Sequence, residues 1–210
     1  MQDYLKALAK AELAGERATT TLIAAALGFS APSATAMLKK LAERGLVERT
    51  PYRGVVLTDT GRKLALEVLR HHRLLERYLV ETLGLSIPEA HAEADRLEHA
   101  LSEHVEARID AALGFPESDP HGDPIPDASL RVCAPQWQPL SDLEEGESRT
   151  IRRVPDTDES MLRYLGDLDL MPGQPVELLL AAPFNGPLTV RSRGGAHAIS
   201  RELAAAIGVE

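Results

Sequence analysis

The 210-residue sequence contains one cysteine, few aromatic side chains and no long apolar run. Cys133 has no partner for a disulfide within the chain, so a reducing, cytoplasmic setting is expected, with the thiol as a small buried apolar group. An uninterrupted run of about 18 apolar residues, which a membrane-spanning helix needs, is absent. The first residues lack the basic and apolar segments of a secretion signal. These absences predict a cytoplasmic protein with no membrane partner.

The charge is unevenly distributed along the chain. The formal net charge is −9, which by itself argues against a nucleic-acid partner. Residues 1–70, however, hold 11 basic and 7 acidic side chains, whereas residues 71–210 hold 12 and 25. A basic first third on an acidic remainder is typical of a protein that meets phosphate with one end.

The first seventy residues predict three helices followed by a β-hairpin. The helices are expected at 2–14, at 22–27 after a cap at Thr19 or Thr20, and from a Ser30 cap to Arg44, with strands at 46–49 and 55–57. A short helix, a glycine turn, a second helix and a basic hairpin together predict a winged helix-turn-helix.

The third helix is predicted to enter the major groove of DNA by its N-terminal end. Small side chains at its outward positions suit close approach to bases and phosphates, and nearby basic side chains suit phosphate contacts. The candidate DNA-binding residues are Ser30, Pro32, Ser33, Thr35, Ala36, Lys39, Lys40, Arg49 and Arg53. The alternative is a helix-turn-helix used for packing, or for binding protein or RNA.

The remaining residues predict two long helices, a linker and a small β domain. One helix is expected from Thr58 or Asp59 to about Leu83, and another from Pro88 to about Leu113. Six prolines in residues 114–140 indicate a linker. Strands are expected at 150–154, 176–181, 188–192 and 196–200, with a short helix near 161–165. The fold class is therefore mainly α with a β part: a winged helix-turn-helix at 1–63, a helical domain at 64–126, a linker at 127–148 and a small β-barrel at 149–210.

Imidazole and carboxylate side chains are concentrated on the two long helices. His91, Asp95, Glu98 and His99 follow at i, i+4, i+7 and i+8, which places them on one side of a helix. His72 and Glu76 are one turn apart on the preceding helix. Mixed oxygen and nitrogen donors without thiolate favour Mn²⁺ or Fe²⁺. The remaining histidines, including His71 and His121, are expected to be surface or packing residues.

Three other interpretations of these residues stay open. The face could be a solvated polar surface, or the cluster could serve a metal-dependent hydrolase, although no His-Glu-x-x-His motif is present. The chain could also be a metal-independent winged-helix regulator that senses an organic ligand. A hydrolase would leave the basic hairpin without a role.

Several segments resemble the diphtheria toxin repressor family of iron- and manganese-dependent transcriptional regulators, including its manganese-transport branch. The resemblance covers almost the whole chain and rests on five segments: 2–4 (QDY), 52–58 (YRGVVLT), 71–76 (HHRLLE), 91–99 and 119–126 (DPHGDPIP).

The resemblance implies a homodimeric repressor that binds palindromic operator DNA and holds two metal sites per subunit. It also implies that residues 64–126 form the metal-binding and dimerisation domain and that the β-barrel of residues 149–210 is Src-homology-3-like. The implied primary ligands are Asp3, Asp95, Glu98 and His99. The implied ancillary ligands are His72, Glu76 and His91, completed by Asp158 and Glu159 of the β-barrel.

Two departures from the family pattern bear on the metal. Iron-type members place sulfur ligands in the primary site, whereas the matching residues here are Asp3 and Asp95, which points to Mn²⁺ with Fe²⁺ as the alternative. The manganese branch offers a glutamate one turn after the first aspartate, and this chain has Lys6 there. A charged lysine cannot ligate a metal, so the two-metal arrangement of that branch does not transfer directly.

Overall fold

The computed structural model describes residues 1–50, 54–133, 137–155 and 159–210, excepting the side chains of Arg49 and Glu159. The chain divides into two compact units. The first unit comprises Met1–Leu75, Ala94–Ala112 and Ile125–Val132; the second comprises Glu76–Glu93, Leu113–Pro124 and Cys133–Glu210. The four ranges predicted from the sequence differ from this division and stay predictions.

The first unit begins with three helices and a hairpin, as the sequence predicts. These elements are α1 (Gln2–Leu13), α2 (Thr20–Ala26), α3 (Ala31–Glu43), β1 (Val47–Thr50) and β2 (Gly54–Leu57). Leu5 and Leu8 of α1, Leu38 and Leu41 of α3, and Ile23 of α2 are at most 2% exposed and form the centre of one apolar core. Residues of all three helices therefore hold together this N-terminal part of the first unit, which we call the head (residues 1–57).

The strands β1 and β2 pair in antiparallel register from Val47 opposite Leu57 to Thr50 opposite Gly54. This pairing confirms the predicted hairpin. Its predicted basic tip, residues 51–53 with Arg53, lies outside the described residues.

The long helices differ from the prediction at one point. The first is α4 (Asp59–Leu83), as expected, but the second is two helices, α5 (Ile87–Leu97) and α6 (Glu103–Ala112). The single helix predicted from Pro88 to Leu113 is therefore wrong. The Ser102 hydroxyl accepts a hydrogen bond from the Val105 N–H, which starts α6 afresh after a five-residue break.

The second unit contains a six-stranded antiparallel sheet in the order β3-β8-β4-β5-β6-β7. The strands are β3 (Gln138–Pro139), β4 (Ser148–Arg153), β5 (Pro175–Ala181), β6 (Leu188–Ser192), β7 (Gly195–Ile199) and β8 (Gly208–Val209). Two helices, α7 (Glu159–Asp167) and α8 (Arg201–Ala206), and a short 3-10 helix at Leu140–Asp142 accompany it. The four predicted strands and the short helix at α7 are confirmed, whereas β3, β8 and α8 were not predicted.

The proline-rich segment is packed rather than extended in solvent. Asp119, His121, Asp123 and Ile125 are each at most 7% exposed. Prediction of a plain linker over 114–140 is therefore wrong for its first half. Cys133 is exposed, which contradicts the expected burial of its thiol.

Within the part of the chain that the structure describes, no single helix is long and apolar enough to cross a membrane. The pair α2 and α3 meets that criterion only when counted together, by length and composition alone.

Candidate metal centres and nucleic-acid interface

The helices α2 and α3 form the helix-turn-helix predicted from the sequence. They are bent by 109° at the break between them, within the range typical of this motif. The Thr19 hydroxyl accepts from the Leu22 N–H at 3.1 Å, and the Ser30 hydroxyl accepts from the Ser33 N–H at 3.4 Å. Each helix therefore begins at a side-chain cap that the sequence carries.

The outer face of α3, together with its cap residue Ser30, is exposed and does not pack into the core. The predicted DNA-contact residues exposed there are Ser30, Pro32, Ser33, Thr35, Ala36, Lys39 and Lys40. Ala34, Leu38 and Leu41 face inward and fix the orientation of that surface. The Thr35 hydroxyl donates to the Ala31 carbonyl at 2.8 Å, so its oxygen can still accept a hydrogen bond. Arg49 lies in β1 opposite Val55.

A first group of candidate ligands lies within the first unit, where α1 meets the turn that follows α5. Asp3 Oδ1 lies 2.8 Å from His99 Nε2, which is 3.7 Å from Glu98 Oε1. Ligand atoms of all three residues lie within 4.8 Å of one another. Two carboxylates and an imidazole at this spacing fit a hard or borderline divalent cation. We call this group the Asp3 site.

Lys6 lies next to the Asp3 site and contacts the other predicted primary residue. Its Nζ donates to Asp95 Oδ1 at 2.7 Å and to both Glu98 oxygens at 2.9 and 2.8 Å. His72 Nδ1 is 3.3 Å from the same nitrogen and 2.7 Å from Glu98 Oε2. Within the first unit, His72 therefore contacts the primary carboxylates, although the resemblance assigns it to the ancillary site.

A buried network holds the Glu98 backbone in place. His71 Nδ1 lies 3.2 Å from the Glu98 carbonyl and its Nε2 lies 2.8 Å from Glu106 Oε2. Burial alone would lower the pKa of His71, but the Glu106 carboxylate and the Glu98 carbonyl outweigh it and raise that pKa. A protonated His71 donates from Nδ1 to the Glu98 carbonyl and pairs in charge with Glu106, so the expectation of a surface or packing residue misses its contact with the Glu98 backbone.

Arg70 continues this network towards α6. Its guanidinium contacts Glu106 and Asp110, each at 2.6 Å, and donates to the Pro126 carbonyl at 2.6 Å. The burial of Glu106 would raise its pKa, but His71 and Arg70 together hold that pKa below its ordinary value. Glu106 is therefore a carboxylate near neutral pH.

A second group of candidate ligands lies within the second unit. Glu76 Oε1 is 2.6 Å from His91 Nδ1 and 3.2 Å from His121 Nε2. Glu76 and His121 are 1% and 0% exposed, and ligand atoms of the three residues lie within 4.8 Å of one another. We call this group the Glu76 site. His121 is therefore not at the surface, one of the two expected positions, and its imidazole joins a group that could hold a metal.

The loop of residues 119–123 directs His121 inward. Asp119 Oδ1 accepts from the backbone N–H groups of His121 and Asp123, each at 2.9 Å. Gly122 has φ +92°, and a Cβ there would lie 1.7 Å from the Arg152 carbonyl oxygen. A tight turn closed by Asp119 and a required glycine therefore sets the imidazole position. The remaining predicted ancillary ligand Asp158 lies outside the described residues, and Glu159 is the first residue of α7.

Comparison with known proteins agrees with this arrangement. Residues 1–55 match the iron dependent repressor N-terminal DNA binding domain, residues 58–127 its metal binding and dimerisation domain, and residues 138–210 the FeoA domain. The diphtheria toxin repressor of Corynebacterium efficiens is 30% identical over 99% of this chain and 93% of its own. The chain belongs to the diphtheria toxin repressor family. Members of this family are DNA-binding transcriptional repressors and not enzymes, so the hydrolase interpretation is dropped.

Other relatives include both iron- and manganese-dependent proteins. The iron-dependent repressor IdeR of Mycobacterium tuberculosis is 40% identical over 123 residues, which are 59% of this chain and only 54% of that protein. A solved manganese-dependent transcriptional repressor in complex with manganese is 40% identical, with a TM-score of 0.86 over 99% of this chain and 98% of that one. The manganese regulator SloR gives a TM-score of 0.85 at 30% identity, over 100% and 97%. The predicted fold class is confirmed.

Proposed function

We propose that this chain is a metal-activated transcriptional repressor of metal-uptake genes, acting in the cytoplasm as a homodimer on palindromic operator DNA. The proposed activating ion is Mn²⁺, with Fe²⁺ as the alternative. The observation that carries the proposal is the Asp3 site, where a carboxylate on α1 of the DNA-binding head meets Glu98 and His99 at the end of α5.

The donor atoms support this choice of metal. The Asp3 site offers two carboxylates and one imidazole, and the Glu76 site offers one carboxylate and two imidazoles. Within the described residues neither group contains a thiolate, which favours Mn²⁺ and Fe²⁺ over metals that prefer sulfur. Manganese-dependent relatives among the solved structures support Mn²⁺, and the iron-dependent relative IdeR supports Fe²⁺ as the alternative.

The mechanism follows from where the donors are attached. Asp3 lies in the first turn of α1, which packs into the same core as α3, whereas Glu98 is held by His71. Asp3, Glu98 and His99 would hold a divalent cation, which would supply positive charge between the two carboxylates. The contact of Asp3 with the ion would fix the orientation of α1 and, through their shared core, that of α3. The exposed surface of α3 would then be positioned to enter the major groove of DNA. Metal and DNA binding should be coupled by about 1–3 kcal/mol per site.

Fluorescence polarisation with promoter fragments of metal-uptake genes tests the proposal. The full chain is titrated in chelator and then with Mn²⁺, or with Fe²⁺ without oxygen. We expect tight binding only with metal, and loss of that response in Asp3→Asn. Asp59→Asn is the matched control, because Asp59 also opens a helix and its side chain is 99% exposed.

Two results would contradict the proposal. Equal binding in chelator and in Mn²⁺ would leave a metal-independent winged-helix regulator. An unchanged metal response in Asp3→Asn, with the Asp59→Asn control intact, would remove the Asp3 site from the mechanism.

A further inference from the structure

Lys6 is a buried ammonium group surrounded by side chains of the kinds that bind metals, carboxylates and an imidazole. The residue is 8% exposed, although lysine is almost never fully buried unless it is paired. Its Nζ donates to three carboxylate oxygens between 2.7 and 2.9 Å, one of Asp95 and two of Glu98, and His72 Nδ1 lies 3.3 Å away and 2.7 Å from Glu98 Oε2. Such a shell of carboxylate oxygens defines a position for a cation.

The charge at this position requires a cation. Glu98 is 2% exposed and His72 is 1% exposed, so solvent does not compensate the Glu98 carboxylate. Asp95 brings a second negative charge to the same nitrogen. The Asp95 side chain is 50% exposed, so the burden falls on the buried Glu98 carboxylate, which without the Lys6 charge would face the Asp95 carboxylate in a poorly solvated position.

Glu98 connects this position to the Asp3 site. Its Oε1 lies 2.9 Å from Lys6 Nζ and 3.7 Å from His99 Nε2 of the Asp3 site. The shared carboxylate therefore faces two cation positions, and Lys6 fills one of them with a group that belongs to the chain.

We propose that Lys6 is a resident cation, which keeps the Asp95–Glu98–His72 cluster assembled without metal and restricts the adjacent Asp3 site to one ion. The restriction to one ion rests on the proposed function. The stabilising role does not, because it concerns the metal-free chain. With Lys6 in place, the cluster would stay assembled whether or not a metal ion is bound at the Asp3 site.

The first test measures metal-free stability in chelator on the full chain. Lys6→Met removes the charge and keeps most of the side-chain length, and should lower Tm by on the order of 5 °C. Lys63→Met is the matched control, because Lys63 is exposed on α4, and should shift Tm by less than about 2 °C. Lys6→Met/Glu98→Gln should lose less than the sum of the two single variants, because the buried charge is then gone. If Lys6→Met alone fails to fold, recovery of a folded chain in this double variant is the equivalent result.

The second test counts bound ions by equilibrium dialysis against Mn²⁺ with atomic absorption. Lys6→Met, or Lys6→Gln if only that folds, is compared with the wild-type chain and Lys63→Met, and all keep the shared Glu98 carboxylate. We expect Lys6→Met to bind one more Mn²⁺ per chain than the wild type and Mn²⁺ to restore its Tm. The Lys63→Met count should equal that of the wild type.

Strictly additive losses in the stability cycle would overturn the resident-cation role, and an unchanged Mn²⁺ count in Lys6→Met would overturn the one-ion restriction. Failure of the proposed function appears elsewhere, as wild-type DNA binding that ignores Mn²⁺. The stability cycle needs neither DNA nor metal, so the two failures are distinguishable.

Discussion

Individual residues of the two candidate sites differ in how far the sequence alone could assign them. The i, i+4 spacing of His72 and Glu76 placed both on one face of α4, yet His72 contacts Glu98 in the first unit and Glu76 contacts His91 and His121 in the second. Helical periodicity gives the face of a residue but not the neighbour that it meets. The partners depend on tertiary packing, which no local pattern contains.

His121 shows the same limit in a loop. The segment DPHGDPIP resembles the family, but its prolines indicate a linker, and a histidine in a linker lies on no periodic face that would predict its neighbours. The turn that directs it inward depends on Asp119 accepting two backbone N–H groups and on Gly122 beside the Arg152 carbonyl. The Asp-Pro-His-Gly order was the available signal.

Replacing His121 should weaken metal binding at the Glu76 site. His121→Ala removes one of the three metal ligands of the Glu76 site. We therefore expect the Mn²⁺ affinity of one binding step, the one that belongs to this site, to fall by at least about tenfold. Isothermal titration calorimetry measures the change. His104→Ala is the control, because His104 is exposed on α6. Equal isotherms for wild type and His121→Ala would exclude His121 as a ligand.

Helices and strands with strong local signals were predictable from sequence. The bounds of the helices in the head were predicted closely. The signals were the caps Thr19 and Ser30, the glycines after α1 to α3 and the apolar residues at helical spacing. The break between α5 and α6 was missed because apolar residues continue at helical spacing across it. Leu97 and Val105 are 44% and 46% exposed, so part of that apolar stripe is not a packing face.

The second element-level miss is α8. Ser200 ended a predicted strand, but its hydroxyl accepts from the Leu203 N–H at 3.1 Å and begins a helix instead. A serine at the end of a strand is also a good helix cap, and strand spacing alone does not distinguish the two.

The exposed face of α3 predicts how its basic end contributes to DNA binding. Lys40→Met should weaken binding to operator and unrelated DNA by similar factors, and should reduce the slope of log affinity against log salt by about 1, because a phosphate contact carries no sequence information. Polarisation titrations across a salt series measure both. Lys63→Met, exposed on α4, should leave the slope unchanged. A loss confined to the operator would assign Lys40 to base recognition instead.

At the scale of the whole molecule, stability should fall in acid through Glu106. Its pKa in the folded chain lies below its ordinary value of 4.5. The stabilisation is therefore fully present above that ordinary value and is lost as pH falls through the lower folded-state pKa. Thermal unfolding of the wild type and Glu106→Gln should differ most near neutral pH and converge in acid. Glu103→Gln, exposed on the same helix, is the control; a gap that is constant with pH would contradict this assignment.

The resident-cation role proposed for Lys6 predicts a consequence for how fast a cell can respond to metal. A chelator can strip an ion from a protein, but it cannot remove a side chain. During metal starvation the repressor would lose its affinity for DNA while its chain stays folded and resistant to proteolysis. When metal returns, repression would resume at the rate of ion binding, without waiting for new synthesis of the protein.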